Sequence, residues 1–411
     1  MRRPPFPVLR DRSRQRGISL VETMIGMALG LVATFVIIQS FSSSETYRRN
    51  LAGTADATQT AAIAGGHLDL VLQEAGASLV QGRNVWGCKI LVTRNKTAIL
   101  PHGSNYPSPF ASFPTTVRVL PLAVLDGGDK GSDVIMAMVG NSGTGNRDTP
   151  FSAPAGGKSM VVSNNNGMAL TSSGQSPNDL FLSVPQEVAG APGDCQVVQA
   201  DSSFSNGTAV ADPSLGLQVM PASVTAPQSL TTIPLNASTY GALASSANSP
   251  SAFHLGRESA PIFSLFAVNS NGELVEYDLL ERNGVMTFGE NIFLIKARYG
   301  IDNGANGGTA NDNVIDDWVS PAEDGWKLAQ LMDGKSSTEQ KVDQIKAVRL
   351  ALVTRSSQSV TSDAKVSSLT LFSDLSSTRQ YTRSLSDSEQ AYQYQIVDWV
   401  IPLRNMKATP K

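Results

Sequence analysis

One uninterrupted apolar run near the start of the chain dominates its hydrophobic pattern. Between Ile18 and Phe41 the only ionisable side chain is that of Glu22. As an α-helix these 24 residues reach about 36 Å, enough to cross a bilayer core of about 30 Å. The pattern predicts a transmembrane helix over 18–41.

Apolar positions then recur every three or four residues, which is typical of an amphipathic helix lying on a sheet. These positions are Leu51, Ala55, Thr58, Ala62, Leu68, Leu72, Ala75 and Leu79, and Gly65 and Gly66 interrupt them. They predict a stalk helix over 42–82 with a weak point at the two glycines. His67 is expected on its surface.

Short segments of alternating apolar and polar residues predict β-strands in the remainder, 83–411. The segments are Asp133–Val139, Lys158–Ser163, Asp179–Val184, Cys195–Ala200, Ile262–Val268, Glu273–Glu281, Ile292–Tyr299, Gln344–Thr354, Ser367–Phe372 and Tyr392–Leu403. A capping box, Ser320-Pro-Ala-Glu323, predicts one helix that ends near Gly334. The fold class is therefore α+β, with an antiparallel β-sheet head.

The middle of the head is poor in charge. Only 11 of the 124 residues in 127–250 are charged, and 213–256 contains no ionisable charge when His254 is neutral. We predict a loop-rich insertion at about 127–256. Its uncharged part has two interpretations, a polar surface loop system or a partly disordered segment.

Composition excludes several classes of function. The 411 residues include 32 Lys and Arg against 35 Asp and Glu, a net charge of −3, which does not favour direct binding of nucleic acid. Two cysteines and three scattered histidines do not form a zinc site. No metal and no cofactor are predicted.

The basic residues are concentrated before the apolar run. Six arginines and one aspartate give residues 1–17 a net charge of +5, and such a flank stays on the cytoplasmic side. Three interpretations compete: a secretory signal cleaved near Ser42–Ser44, an ordinary anchor whose Gly26 and Gly30 form a helix-pairing face, and a processed helix that keeps Glu22.

The third interpretation accounts for both the length of the run and its carboxylate. Gly17-Ile-Ser-Leu-Val-Glu22, after a basic leader, resembles the class III signal of the type IV pilin superfamily. The resemblance implies cleavage by prepilin peptidase between Gly17 and Ile18 and N-methylation of Ile18. It also implies a type IV pilin-like fold, in which the long helix packs on the sheet.

Placing a carboxylate in hydrocarbon costs free energy, so an acidic residue within a membrane helix is taken to have a function. When helices stack with an axial stagger, the amine freed at Ile18 of one subunit approaches Glu22 of its neighbour. The two buried charges then neutralise each other, and the pair specifies the axial register of the packed helices. The alternative is that Glu22 lies near the membrane interface and reaches water.

Several segments resemble PilW-type minor pilins in particular. They are HLDLVLQEAGASL at 67–79, the strand that begins at Asp133, FLIKARYGIDN at 293–303 followed by Trp318, IKAVRLALVTRS at 345–356, and YQIVDWVIPLRNM at 394–406. The resemblance implies a minor pilin that initiates assembly of type IV pili and caps them. It also implies an inner-membrane precursor with its head in the periplasm, and a pilus-tip location after assembly.

The implied partners are other minor pilins, the major pilin, prepilin peptidase, the inner-membrane assembly platform and, before assembly, membrane lipid. Three alternatives remain: a J-type pseudopilin of type II secretion, although those heads are much smaller, a tip adhesin, and a membrane-anchored periplasmic hydrolase. A hydrolase requires a cluster of acid, base or nucleophile, and no such motif stands out in the sequence.

Cys88 and Cys195 are expected to pair in an oxidising compartment, the alternative being two separate buried thiols. Asp333-Gly-Lys-Ser336 is interpreted as a helix terminus and not as a phosphate loop. Ser362-Asp-Ala-Lys365 matches Ser-x-x-Lys without companion motifs. The residues Asp302, Asn303, Asp312, Asn313, Asp316 and Asp317 offer oxygen ligands for calcium, but their spacing favours a solvated turn.

Overall fold

The computed structural model of the chain describes residues 19–79, 85–142, 148–153, 156–162, 179–185, 193–201, 231–243, 250–357, 359 and 366–406. The long helix α1 runs from Leu20 to Gln73, and two short helices, α2 (Leu328–Leu331) and α3 (Ser336–Gln344), lie in the head. The chain divides into two compact units, 1–53 and 54–411.

The described part of the head contains strands β1 to β19. In chain order they are Lys89–Arg94, Thr97–Leu100, Leu122–Leu125, Val134–Val139, Asp148–Ser152, Ser159–Val162, Asp179–Val184, Asp194–Gln199, Thr231–Pro234, Ser251–Arg257, Ile262–Val268, Leu274–Asp278, Met286–Gly289, Ile292–Ile301, Asp317–Val319, Ile345–Arg355, Ser368–Leu371, Tyr381–Ser384 and Tyr394–Pro402.

These strands form an eight-stranded sheet in the order β2-β1-β8-β7-β10-β5-β6-β9, and a five-stranded sheet in the order β13-β12-β11-β4-β3. A four-stranded sheet follows the order β15-β14-β16-β19, and β17 and β18 form a hairpin. Except for the parallel pair β1 and β8, the strands pair antiparallel. The predicted α+β class, a helix with a mostly antiparallel head, is confirmed.

The main core joins the last turns of α1 to all three large sheets. Leu68 and Leu72 of α1 and Ala75 just after it are fully buried in this core, as are Ile135 of β4 and Leu350 of β16. A second cluster is formed by strands β5 to β10 of the eight-stranded sheet, and a third packs the β17–β18 hairpin on the four-stranded sheet. Strands β14 and β16 are buried along almost their whole length because both of their faces are covered.

Helix α1 departs from the sequence expectation in two respects. It ends at Gln73 and not at 82, and it runs through Gly65 and Gly66 without interruption. Its buried side near the head contains Ala57, Ala61 and Ala64, whereas the expected positions Ala55 and Ala62 are exposed. Alanines lie on both the buried and the exposed side of this helix, so the apolar pattern of the sequence did not identify the buried side.

The middle of the head is also more regular than expected. Strand β4 is a fully buried member of the five-stranded sheet, so residues 134–139 belong to the main core. Strand β10 lies within the uncharged part and pairs with both β7 and β5. Residues 202–230 and 244–249 lie outside the described residues.

Candidate functional site

The first 23 residues of α1, Leu20–Ser42, form the segment that the sequence assigns to assembly. Their mean hydropathy is 2.1, and none of this window is buried within the chain. By length and composition the segment is able to cross a membrane. We call Leu20–Ser42 the assembly segment.

Glu22 lies in the first turn of α1 and is exposed. Its backbone N–H donates to the carbonyl of Ser19 at 2.9 Å. A carboxylate in the first turn interacts favourably with the positive end of the helix dipole. Glu22 is also the only charged side chain of the assembly segment.

The glycines of the assembly segment leave room for a neighbouring helix. A Cβ atom added at Gly26 or at Gly30 would have no protein atom within 4 Å. Small residues four apart let two helices approach closely. Gly17 and Ile18, the predicted cleavage and methylation positions, lie outside the described residues.

Cys88 and Cys195 form a disulfide bond, with Cα atoms 5.7 Å apart and a separation of 107 positions in sequence. Cys88 precedes β1, Cys195 lies in β8, and Ile90 of β1 pairs in parallel with Cys195. Both cysteines are fully buried. The bond therefore fastens the one parallel strand pair of the described sheets.

The Asn/Asp-rich loop after β14 satisfies its own carboxylates. Asp302 is fully buried and accepts hydrogen bonds from the backbone N–H groups of Asn311 and Asn313. Asp316 accepts from the N–H of Gly304 at 2.6 Å. These oxygens brace the loop, and within the described ranges no group of three or more His, Cys, Asp or Glu residues is arranged to hold a metal.

The capping box at Ser320 forms, but the helix does not continue from it. The Ser320 N–H donates to the Glu323 carboxylate at 2.8 Å, and the Ala322 N–H donates to Ser320 Oγ at 3.3 Å. The chain then turns at Gly325, whose φ is +88°, and α2 begins only at Leu328. The predicted single helix from Ser320 to Gly334 was wrong, because this turn separates the cap from α2.

The Asp333-Gly-Lys-Ser336 motif lies between α2 and α3. The Asp333 carboxylate accepts from the Lys335 N–H at 2.9 Å and from Thr338 Oγ1 at 2.7 Å, so it organises the start of α3. This agrees with a helix terminus. The Ser362-Asp-Ala-Lys365 motif lies outside the described residues.

His254 of β10 lies in a hydrogen-bonded row with Ser142 and Asp179. Ser142 Oγ is 2.9 Å from His254 Nδ1, and Asp179 Oδ2 is 2.9 Å from His254 Nε2. In serine hydrolases Nε2 faces the serine and Nδ1 the aspartate, so the two ring nitrogens are exchanged here. Sequence reasoning missed this row because His254 was read as part of a polar segment.

His67 of α1 is half-buried and not a plain surface residue. Its ring stacks on Phe288 with centroids 3.8 Å apart, and its Nε2 is 3.3 Å from the Glu276 carboxylate. These contacts hold α1 against β12 and β13. The expectation of a surface position was therefore only partly right.

A buried ion cluster joins two of the sheets. Lys296 of β14 places its Nζ 2.6 Å from Asp133 Oδ1 and 2.8 Å from Asp126 Oδ1. Burial raises the pKa of Asp133 to about 6, against the opposing effect of the Lys296 charge. Sequence reasoning missed this cluster because its two buried members are 163 residues apart and no local motif links them.

Residues 277–405 match the sequence model of the PilW family, described as Type IV Pilus-assembly protein W. The match covers β14, β16 and β19, which contain three of the segments that resemble PilW-type proteins, and the resemblance is confirmed. The other two segments, 67–79 and the strand that begins at Asp133, lie outside the match. The match begins after the assembly segment and leaves the first two thirds of the chain unmatched. Comparison with curated proteins and with solved structures gave no match.

Proposed function

Because residues 277–405 match the PilW family, we propose that the chain is a PilW-type protein that acts in the assembly of type IV pili as a minor pilin. The assembly segment packs among the corresponding helices of other pilins, and the head remains outside the bundle. In this role the protein takes part in initiating the pilus and stays as its cap. It works by association and not by turnover.

The observation that carries this proposal is the exposed apolar assembly segment with its single carboxylate. An apolar helix of 23 residues with no buried part requires lipid or other apolar helices as its surroundings. The charge of Glu22 requires a cation once water is removed. The amine that cleavage frees at Ile18 of an adjoining subunit supplies that cation.

The size of the head supports a position at the tip. Residues 54–411 form one compact unit, and its main core includes parts of all three large sheets. A head of this size is difficult to repeat along a tightly packed fibre, which favours a low copy number. The disulfide between Cys88 and Cys195 suits a head displayed in an oxidising compartment.

The partners follow from this role. They are the other minor pilins and the major pilin through the assembly segment, prepilin peptidase at Gly17 and Ile18, and the inner-membrane assembly platform. Before assembly the segment lies in membrane lipid, with the head in the periplasm. After assembly the head lies at the pilus tip on the cell surface.

Deletion of the gene in its native host tests the proposal. We expect few or no surface pili by electron microscopy, and restoration by a plasmid copy of the full chain. A copy that lacks residues 18–41 but carries a cleavable secretory signal serves as the control and should not restore pili. Normal piliation of the deletion strain would contradict the role in assembly.

A further inference from the structure

Lys296 occupies an unusual position for a lysine, in the middle of a strand that is buried on both faces. Its side chain is 2% exposed, and the Asp133 side chain is fully buried. Lys296 Nζ and Asp133 Oδ1 are 2.6 Å apart. An amine and a carboxyl group are thus held in contact away from water, which is the arrangement that proximity catalysis requires.

Several neighbouring groups contact the carboxylate of Asp133 or the amine of Lys296. Asp133 Oδ2 accepts a hydrogen bond from the Ala297 N–H at 2.9 Å, and Oδ1 accepts one from the Gly127 N–H at 3.2 Å. The ring of Tyr381 covers Lys296 Nζ, with its centroid at 4.4 Å. The guanidinium of Arg298 also interacts with Asp133 through its charge.

A second carboxylate completes the site. Asp126 Oδ1 lies 2.8 Å from Lys296 Nζ, and the Asp126 side chain is partly exposed. It is therefore able to accept a proton from the nitrogen and to return it, as a general base and then a general acid. A buried ion pair of this kind contributes little net free energy to folding. Stability alone therefore does not account for its place in the core.

We propose that Lys296 and Asp133 condense to an intramolecular isopeptide bond, with Asp126 as the proton relay. The Nζ–Cγ bond forms, the Cγ–Oδ1 bond breaks, and one water molecule leaves. No oxidant, reductant or co-reactant takes part, because the amine and the carboxyl group together supply all atoms of the amide and the water.

The protons balance in three steps. The Lys296 ammonium gives one proton to Asp133 Oδ1, and the neutral amine attacks Cγ. Negative charge then develops on Oδ2, where the Ala297 N–H stabilises it. Asp126 takes a second proton from the nitrogen and delivers it to Oδ1, which leaves as water. Asp126 returns to its carboxylate form.

Burial supports the first step. In a poorly hydrated site, the charged form of an ionisable group is disfavoured relative to its neutral form. Burial raises the pKa of Asp133 to about 6, which favours the protonated carboxyl that the attack requires. Burial also favours the neutral amine of Lys296, whereas the charges of Asp133 and Asp126 favour the ammonium and raise its pKa. The proton that the ammonium must lose before the attack passes to Asp133 Oδ1, which lies 2.6 Å from Nζ.

The bond would connect the start of β4 to the middle of β14. Residues 133 and 296 are 163 positions apart, so the closed loop holds the five-stranded sheet to the four-stranded sheet. Together with the disulfide, it would give the head two independent covalent braces. This inference does not depend on the proposed function.

Peptide mass mapping of the purified full chain tests the proposal. After denaturation, reduction, alkylation and trypsin digestion, we expect peptide 131–147 joined to peptide 283–298, with cleavage at Lys296 blocked and the mass of one water missing. Lys346 is the control within the chain. It is also buried, but its Nζ donates to the Met406 carbonyl at 3.0 Å, and trypsin should cleave after it.

Two variants separate the bond from the ion cluster. Asp126→Asn keeps the partly exposed side chain at nearly the same size and should leave the chain folded by circular dichroism but without the joined peptides. Lys296→Arg should also lack them. Separate 131–147 and 283–296 peptides from the wild-type chain would overturn the proposal, and joined peptides in Asp126→Asn would overturn the relay assigned to Asp126.

Discussion

The indole of Trp399 packs on Gly65 of α1, so closely that a Cβ atom added at Gly65 would lie 3.3 Å from Trp399 Cη2. Glycine at this position is what allows α1 to approach β19. The adjacent Gly66 has no such neighbour, since an added Cβ would have nothing within 4 Å. The pair that the sequence marked as a weak point is therefore a packing site at Gly65.

This difference gives a matched pair of variants. Gly65→Leu should lower the free energy of unfolding by about 1–3 kcal/mol, because the side chain overpacks the interface with Trp399. Gly66→Leu should be neutral or stabilising by up to about 1 kcal/mol, since leucine has a higher helix propensity. Urea denaturation of both purified variants measures the difference, and equal stability would contradict the packing argument.

Loss of the disulfide should destabilise the head. The loop between Cys88 and Cys195 spans 107 residues, and closing a loop of that size contributes about 4 to 5 kcal/mol in the chain-entropy model. The Cys88→Ala, Cys195→Ala double variant should lose about this amount in chemical denaturation. Wild-type protein under reducing conditions is the control, and unchanged stability in both samples would refute the contribution.

Asp333 should make the stability of the α3 region depend on pH. Burial opposes ionisation, but the hydrogen bonds from Thr338 and Lys335 outweigh it and hold the pKa of Asp333 below its usual value. Its stabilising contribution is then complete above an unfolded pKa of about 3.9 and is lost as the pH falls through the lower folded pKa.

Asp333→Asn is the variant that tests this dependence. Asparagine keeps an oxygen acceptor for Thr338 Oγ1 and the Lys335 N–H but does not titrate. The wild type should therefore lose more stability than the variant as the pH falls below about 4. Denaturation curves at a series of pH values measure this, and parallel curves would show that Asp333 makes no such contribution.

Glu22 should matter for assembly and not for processing. We expect Glu22→Ala to be cleaved normally but to enter pili poorly, because the freed amine of a neighbour loses its counter-charge. Thr23→Ala, in the same exposed turn, is the matched control. Immunoblots of sheared pili and of membranes measure both, and equal incorporation of the two variants would argue against the charge pairing.

The sequence predicted ten of the nineteen described strands of the head, because their alternation is local, and it missed nine. Ile262–Val268 was predicted with the bounds that the structure has, and β14 and β16 differ from expectation only at their ends. Strand β10 was missed, since the uncharged segment around it favoured a loop, although its residues are buried between β7 and β5.

Two features of the head were not predictable from the sequence. The Ser320 cap has the expected hydrogen bonds, but the turn at Gly325 stops the helix. Lys296 lies within the predicted strand Ile292–Tyr299, and only the fold brings Asp133, 163 positions away, into contact with it. The assembly segment, in contrast, was recognisable because its apolar run and its single acid are contiguous in sequence.

The first residue of the assembled protein tests the central claim most directly. Pili sheared from cells would be purified, and this chain identified by N-terminal sequencing and intact mass. The account predicts a start at N-methylated Ile18 with Glu22 and the whole apolar helix retained. A mature start after Ser44, with that helix removed during export, would contradict it.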